Sequence, residues 1–415
     1  MAHIENLLNQ IYGMWLMLGN INQIYQNVLN RIDIGREYSD DELYEVIDEC
    51  ILSARSNKYL LSDKIAARRD IFDRIRGYGI LQELLDDKDI SEIMINGISN
   101  IFVEKNGVIY RTDKRFDIEE QLNDLIQKIV SKVNRRVNES CPISDSRLED
   151  GSRINIVLKP VAINGPIITI RKFPSEKMTM EKLIELGAID RDIADKLKMF
   201  VECGYNIFIS GGTSSGKTTF LNALSDFVPK NERIITIEDS AELQINGVDN
   251  LVSLEVKQGN AEGDNAISIR DLIKSSLRMR PDRIIVGEVR GAEALDMIQS
   301  MNTGHSGSLS TGHANSARDM LARIETMVLM GTDMPIPAIR GQIASALDLI
   351  IHLERLADKS RKVVEITEVL DYQDGVIKTN DLYIYDFKEQ KLTRTDNEFV
   401  NRYKLNRVSK GEVDV

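Results

Sequence analysis

The sequence predicts an α/β protein in which a mainly parallel, three-layer domain follows a small α+β domain and a helical N-terminal region. Three observations carry that reading. In the second half, short β-like runs alternate with amphipathic stretches of helical period, the pattern of a parallel sheet covered on both faces. Between Ile90 and Ile170 the β-like runs lie close together and are punctuated by Asn96-Gly97 and Asn106-Gly107, which marks hairpins. Before residue 85, apolar positions recur at helical spacing instead.

Residues 1–85 are therefore expected to be helical, with Ser39-Asp40-Asp41-Glu42 resembling a capping box ahead of Leu43, Val46, Ile47 and Ile51. This region reads either as a solvated packing bundle or as a docking surface for partners. Residues 86–172 hold the α+β domain. Its strands are expected at Glu92–Ile95, Asn100–Glu104, Val108–Arg111, Ile154–Val157 and Ile167–Ile170, with a helix over Ile118–Val137 that keeps Leu122, Leu125, Ile126 and Ile129 in phase. The polar, proline-bearing segment Lys172–Lys177 is the expected interdomain linker, so residues 173–195 comprise the linker and a leading helix. Residues 196–415 form the parallel domain, with strands at Ile207–Ser210, Arg233–Ile237, Ile284–Val286, Leu309–Thr311 and Leu349–Leu353. A C-terminal hairpin closes it, its arms Lys362–Leu370 and Val376–Tyr385 flanking Gln373-Asp374-Gly375.

With 415 residues and 42% hydrophobic composition, the chain is long enough for two or three domains with full cores. The balance of 53 basic against 65 acidic residues, net −12, makes nucleic acid a poor default partner. Cys50, Cys141 and Cys203 show no CxxC spacing, so neither a disulfide framework nor a four-cysteine zinc site is encoded, and a reducing, cytoplasmic setting is the simplest expectation. The apolar patch Ile11–Leu18 is too short and interrupted for a signal or a membrane span. No direct membrane insertion is expected; recruitment to a membrane would need other proteins.

The most specific signal is Gly211-Gly212-Thr213-Ser214-Ser215-Gly216-Lys217-Thr218-Thr219, placed directly after the apolar run Ile207-Phe208-Ile209. It contains the phosphate-binding loop pattern of nucleoside-triphosphate enzymes. Glycines let the backbone curl until its N–H groups converge on phosphate oxygens. Lys217 adds a mobile positive charge, and Thr218 a hydroxyl where Mg²⁺ needs one. Thr218–Val228 reads as a helix with apolar Phe220, Leu221, Leu224, Phe227 and Val228, so its N-terminus faces the phosphates. An ordinary glycine-rich turn is the bland alternative; the strand before the loop and the helix after it favour ATP or GTP binding.

Two further strands end in carboxylates: Glu238-Asp239 follows Ile237, and Gly287-Glu288 follows Val286. Ligands of α/β sheets bind at the carboxyl edge, where acidic residues can hold Mg²⁺ and polarise an attacking water. Two histidines, His305 and His313, flank the Ser/Gly-rich run Ser306–Gly312. No third ligand with suitable spacing accompanies them, so a phosphate-sensing imidazole is favoured over zinc, with packing or capping open for either.

The order of phosphate loop, Ile237-Glu238-Asp239, Ile285-Val286-Gly287-Glu288-Val289-Arg290-Gly291 and two-histidine segment resembles the Walker A, Asp box, Walker B and His box of the secretion ATPase superfamily of type II and type IV systems. The strings Asp145–Asn155 and Thr169–Phe173 most resemble its CpaF/TadA branch, which powers tight-adherence (Tad/Flp) pili. The four-cysteine metal motif of many type II members is absent. The resemblance, over about residues 85–390, implies a RecA-like P-loop ATPase domain, Mg²⁺-dependent hydrolysis of ATP, a cytoplasmic homo-hexamer, and work on inner-membrane pilus or secretion platform proteins. It implies that Lys217 and Thr218 hold phosphate and Mg²⁺, that Glu238 is the general base, that Glu288 organises the metal and its water, and that His313 senses the γ-phosphate with His305 beside it.

Charge developing on the γ-phosphate also calls for a guanidinium. Arg147, Arg153 and Arg171 are the candidates, their alternative being solvated or ion-paired surface groups; Arg278, Arg280 and Arg290 are candidates for subunit contacts. The resulting expectation is a pilus motor of Tad/Flp type. Its alternative among motors is a conjugative type IV secretion ATPase moving protein or DNA. A nucleotide-gated scaffold with negligible turnover is the alternative from another class, and the pair Glu238 and Glu288 weighs against it.

Overall fold

The computed structural model describes residues 21–33, 35–54, 61–132, 136–173, 177–257 and 266–408. Ile11–Leu18, and residues 174–176 of the expected linker, lie outside them. The chain divides into two compact units, Met1–Ser175 and Glu176–Val415.

In the first unit, helix Asp40–Ser53 starts as its sequence dictates. Ser39 Oγ accepts from the Glu42 N–H while the Glu42 carboxylate accepts from the Ser39 N–H, so two otherwise orphaned donors are satisfied reciprocally. Leu43, Ile47 and Ile51 are buried with Ile24, Val28, Ala67 and Ile71, the last two on helix Leu61–Ile75. Beyond it lies a six-stranded antiparallel sheet of β1 (Ile90–Asn96), β2 (Asn100–Lys105), β3 (Val108–Arg111), β4 (Ile143–Arg147), β5 (Arg153–Val157) and β6 (Ile167–Arg171), ordered β3-β2-β1-β6-β5-β4. Asn106 and Gly107, at φ 53° and 74°, make the two-residue turn between β2 and β3. One face of the sheet buries Ile93, Ile95, Ile101, Ile154, Ile156, Ile168 and Ile170 against Leu122, Leu125, Ile126 and Ile129 of helix Glu119–Lys132. That helix is shorter than its expected span, and residues 133–135 lie outside the described ones. Strand β4 is not in the sequence reading because it is an edge strand: of Ile143-Ser144-Asp145-Ser146-Arg147 only Ser144 is buried, so no apolar alternation marks it.

The second unit is built on a nine-stranded sheet: β7 (Ile207–Gly211), β8 (Ile234–Glu238), β9 (Leu251–Glu255), β10 (Arg283–Val286), β11 (Leu309–His313), β12 (Leu349–Arg355), β13 (Arg361–Gln373), β14 (Val376–Asp386) and β15 (Lys391–Arg394). Their order is β15-β14-β13-β12-β7-β11-β10-β8-β9. The six strands from β12 to β9 are parallel, and β13 to β15 extend the sheet antiparallel. Asp374 and Gly375, at φ 53° and 79°, form the β13–β14 turn. Separate apolar cores cover the two faces. Helices Arg191–Glu202 and Lys217–Ser225 pack on one; Glu293–Asn302, Ala317–Leu329 and Ile336–Ala346 pack on the other. The helix expected over Thr218–Val228 stops at Ser225. Phe227 and Val228 instead close tight turns onto the Leu224 and Ser225 carbonyls, and Pro229 follows. Strands β9 and β15 are additions to the sequence reading, both outermost in the sheet, β9 with no residue fully buried and β15 with Leu392 alone buried.

Parallel order brings the carboxyl ends of β7, β8, β10 and β11 to a single edge, where the phosphate loop, Glu238, Glu288 and His313 stand.

Candidate nucleotide-binding site

Strand β7 ends at Gly211, and the chain curls through Gly212–Gly216 before helix Lys217–Ser225 begins. Only glycine fits at 211, since a Cβ there would lie 2.4 Å from the Leu353 carbonyl oxygen and 2.6 Å from Ser215 Oγ. Ser214 and Gly216 both take left-handed backbone, φ 59° and 93°, which turns successive N–H groups toward one concave side. Gly216 caps the helix with no side-chain hydrogen bond, so the N–H groups of the first turn, where Thr218 and Thr219 stand half-buried, are left for an anion. Thr213 and Gly212 are exposed at the lip of the curl.

Lys217 is buried inside it. Its Nζ donates to the carbonyls of Gly211 (3.1 Å) and Gly212 (2.7 Å) and stands 3.2 Å from His313 Nδ1. Because an ammonium only donates, His313 Nδ1 must accept, which puts the proton of a neutral imidazole on Nε2. That Nε2 lies 2.9 Å from Glu288 Oε1, a close polar contact short of hydrogen-bond geometry, and Glu288 Oε2 accepts from Arg290 Nη2 at 2.7 Å. Arg290 Nη1 approaches Asp239 Oδ2 at 3.7 Å. A single chain of polar contacts therefore runs from the phosphate loop through the ends of β11 and β10 toward the end of β8.

Electrostatics keep the chain in this protonation pattern. Burial pushes the His313 pKa below its ordinary value, and the Lys217 ammonium adds to the effect. Burial alone would raise the Glu288 carboxyl, but the Arg290 hydrogen bond and the charges of Arg290 and Lys217 outweigh it and hold it below the usual value. Lys217 is lowered, chiefly by burial. The site is thus a neutral imidazole between a cation and an anion, an arrangement sensitive to any new charge at the loop.

Glu238 ends β8, buried, and its Oε2 accepts from the N–H groups of Glu242 (2.7 Å) and Leu243 (3.0 Å). Gly287 lets it come so close: a Cβ at 287 would lie 2.9 Å from Glu238 Cγ. The two carboxylates thus stand at the ends of adjacent strands, Glu238 anchoring the segment after it and Glu288, two residues past β10, facing Lys217 and His313.

His305 does not join them. It precedes β11, at the end where Gly307 and Ser308 bind Asn206, the residue before β7, and its Nδ1 faces the Ser300 carbonyl at 3.2 Å. His313 closes the same strand opposite Gly211. Five residues of strand separate the two ends by about 13 Å, so the expectation of His305 beside His313 is corrected by the strand between them.

Arg147, Arg153 and Arg171 lie in the other unit, on β4, β5 and β6. Register pairs Arg147 with Arg153 and Arg153 with Arg171, so the three form one row across the sheet, continued by Glu92 on β1. Arg278 and Arg280 lie between helix Ile269–Ser276 and β10, at the amino end of that strand, away from the loop.

Two neighbours of the loop escape the sequence reading. Arg361, the first residue of β13, donates from Nε to the Ser214 carbonyl at 3.0 Å. Buried His352, on β12, places Nδ1 2.7 Å from Ser210 Oγ beneath the loop, and burial lowers its pKa. Neither is near the glycine-rich motif in sequence, and only the β7–β12–β13 pairing brings them there.

Among known proteins, a family described as type II/IV secretion system protein matches residues 75–397. A putative conjugal transfer protein of Mycobacterium tuberculosis is 32% identical over 323 residues, 76% of this chain and 91% of its own length. The probable conjugal transfer protein TrbB of Sinorhizobium fredii is 31% identical over 296 residues, covering 70% of this chain and 86% of its own. The X-ray structure of the Yersinia pseudotuberculosis ATPase DotB aligns with a TM-score of 0.51 at 16% identity, over 73% of this chain and 80% of that one, a likeness of fold. The chain belongs to the type II/IV secretion system protein family.

Proposed function

We propose that this member of the family is a Mg²⁺-dependent ATPase whose hydrolysis of ATP drives a pilus or secretion machine. The observation that carries the reading is the contact chain Lys217–His313–Glu288 at the mouth of the phosphate loop. A scaffold that merely held nucleotide would need the loop and Lys217; it would not need a carboxylate coupled to that lysine through an imidazole.

The roles follow from position. Loop N–H groups and Lys217 would bind the phosphates, and Glu288 would orient the attacking water, with Glu238 as the general base that the resemblance suggests. Arg147, Arg153 and Arg171, from the same chain or a neighbouring subunit, would meet charge developing on the γ-phosphate. Among the described residues no cluster of three or more His, Cys, Asp or Glu could cage a metal. That suits Mg²⁺, which takes one or two protein oxygens and fills its shell with phosphate and water; Thr218 and Glu288 would supply them. Bound with ATP, the ion would neutralise phosphate charge.

The finer setting is a cytoplasmic homo-hexamer acting on inner-membrane platform proteins. Among the described residues no helix is long and apolar enough to cross a membrane. The strings of the β4–β5 hairpin and β6 favour a Tad/Flp-type pilus. A conjugative type IV secretion machine is the second reading, favoured by relatives named as conjugal transfer proteins. Phosphate release from ATP by the purified chain, with and without Mg²⁺ and for Lys217→Ala, tests the activity. Lys217→Ala should weaken nucleotide binding at least about a hundredfold, since it removes both a phosphate contact and the bonds that curl the loop. Hydrolysis unaffected by that change would overturn the reading.

A further inference from the structure

The phosphate loop holds its shape against a local cost: Ser214 carries a Cβ yet sits at φ 59°, a conformation that residues other than glycine resist. Something must fix that curl. Among the described contacts of the Ser214 carbonyl, the one from a distant element is the Arg361 Nε–H at 3.0 Å, reaching across 147 residues of sequence. The aliphatic stem of the same side chain lies over Gly216, where a Cβ would come within 3.2 Å of Arg361 Cδ and 3.9 Å of Arg361 Cβ. One residue thus spans the two left-handed positions of the loop, 214 and 216. It sits on β13, two strands from β7, so the grip comes from a separate part of the sheet.

From this geometry we infer that Arg361 is a positioning residue for the nucleotide's phosphate chain, acting through Ser214 rather than by contact with the reacting atoms. The inference rests on the proposed ATPase reading. A curl already formed binds phosphate at full strength, whereas a loop that populates the curl a tenth of the time shows a tenfold weaker apparent affinity. Once nucleotide is bound the curl is held by the phosphates themselves, so binding should suffer and turnover at saturation should not.

Three substitutions in the full chain separate a hydrogen bond from a charge. In Arg361→Gln, the side-chain amide nitrogen stands at the bond position of the arginine Nε, so the donor is kept and the charge removed. Arg361→Lys keeps the charge but has a methylene at that position. Arg361→Met keeps only the stem over Gly216. The readouts are the Kd of a fluorescent ADP and kcat at saturating ATP, with the thermal midpoint of the nucleotide-free chain as a check of folding. Expected are a Kd about tenfold weaker for Met and Lys, within about threefold of the parent for Gln, and kcat within about twofold throughout. Should the Met variant fail to fold, the Gln and Lys variants alone decide. Gln weaker than Lys, or kcat falling in place of affinity, would make Arg361 a charge acting on the phosphates and overturn the inference, as would Gln as weak as Lys or three variants indistinguishable from the parent. A parent chain that binds no nucleotide would instead sink the ATPase reading itself.

Discussion

Replacing Glu288 with glutamine tests the contact chain at its centre. The carboxylate accepts a hydrogen bond from Arg290 Nη2 at 2.7 Å, and its other oxygen lies 2.9 Å from the proton-bearing His313 Nε2 in a close polar contact without hydrogen-bond geometry. A carboxamide has one acceptor oxygen, so its NH₂ must oppose whichever donor the oxygen does not meet. The Arg290 side chain is 62% exposed, and that pair is worth under about 1 kcal/mol. The His313 side is less exposed and carries the larger loss. With the negative charge that would order metal and water also gone, the barrier to hydrolysis should rise by about 2.7 kcal/mol or more, roughly a hundredfold in turnover. Affinity rests on Lys217 and the loop N–H groups, and should stay within about tenfold, 1.4 kcal/mol. Steady-state phosphate release and equilibrium binding of a fluorescent ATP analogue separate the two effects. Histidine-ring ¹⁵N spectra give a second readout, since the parent His313 should be neutral with its proton on Nε2. Hydrolysis at the parent rate in Glu288→Gln, or a parent His313 protonated on Nδ1, would refute the reasoning.

His313→Ala removes the group between Lys217 and Glu288 while leaving every loop residue in place; affinity within about tenfold and a larger fall in turnover are expected, and the reverse pattern would make His313 a binding residue. The site should also be acid-sensitive. His313 and His352 have folded pKa values below the ordinary imidazole value of about 6.5, so below that pH the unfolded chain takes up protons that the folded chain refuses. Stability should therefore be fully present above about pH 6.5 and fall as pH drops from there through the folded values; a thermal midpoint flat or rising on acidification would contradict it, and His313→Gln should lessen the fall. In the arginine row, Arg153→Ala should lower kcat at least about tenfold with nucleotide Kd unchanged, whereas an unaltered kcat would return Arg153 to an ordinary surface role.

What could be read from the sequence follows the reach of each physical signal. Capping by Ser39 and Glu42 and the turns at Asn106-Gly107 and Asp374-Gly375 are settled within a few residues, and each sits where the sequence places it. Buried strands such as β7, β8 and β10 announce themselves because both faces are covered and every residue must be apolar or hydrogen-bonded. Outermost strands obey no such demand. In β4, β9 and β15 few side chains are buried, and pairing with a neighbour that no local pattern reveals makes them strands.

The site divides along the same line. The phosphate loop is legible because its curl is enforced by its own glycines. Glu288 and His313 were recognisable as strand-end groups, yet their meeting depends on the strand order β7-β11-β10-β8, which interleaves segments roughly a hundred residues apart. Strand order also explains the two exceptions. His305 shares a short run of sequence with His313 but stands at the opposite end of β11, whereas Arg361, remote in sequence, reaches Ser214 because β12 and β13 lie beside β7. Proximity in sequence thus misleads where a strand intervenes, and the residues that hold the loop in shape come from whichever strands the sheet places next to it. A residue of that kind acts on the population of the competent loop, so its signature is in affinity, while Glu288 and His313, facing the lysine itself, should reveal themselves in turnover.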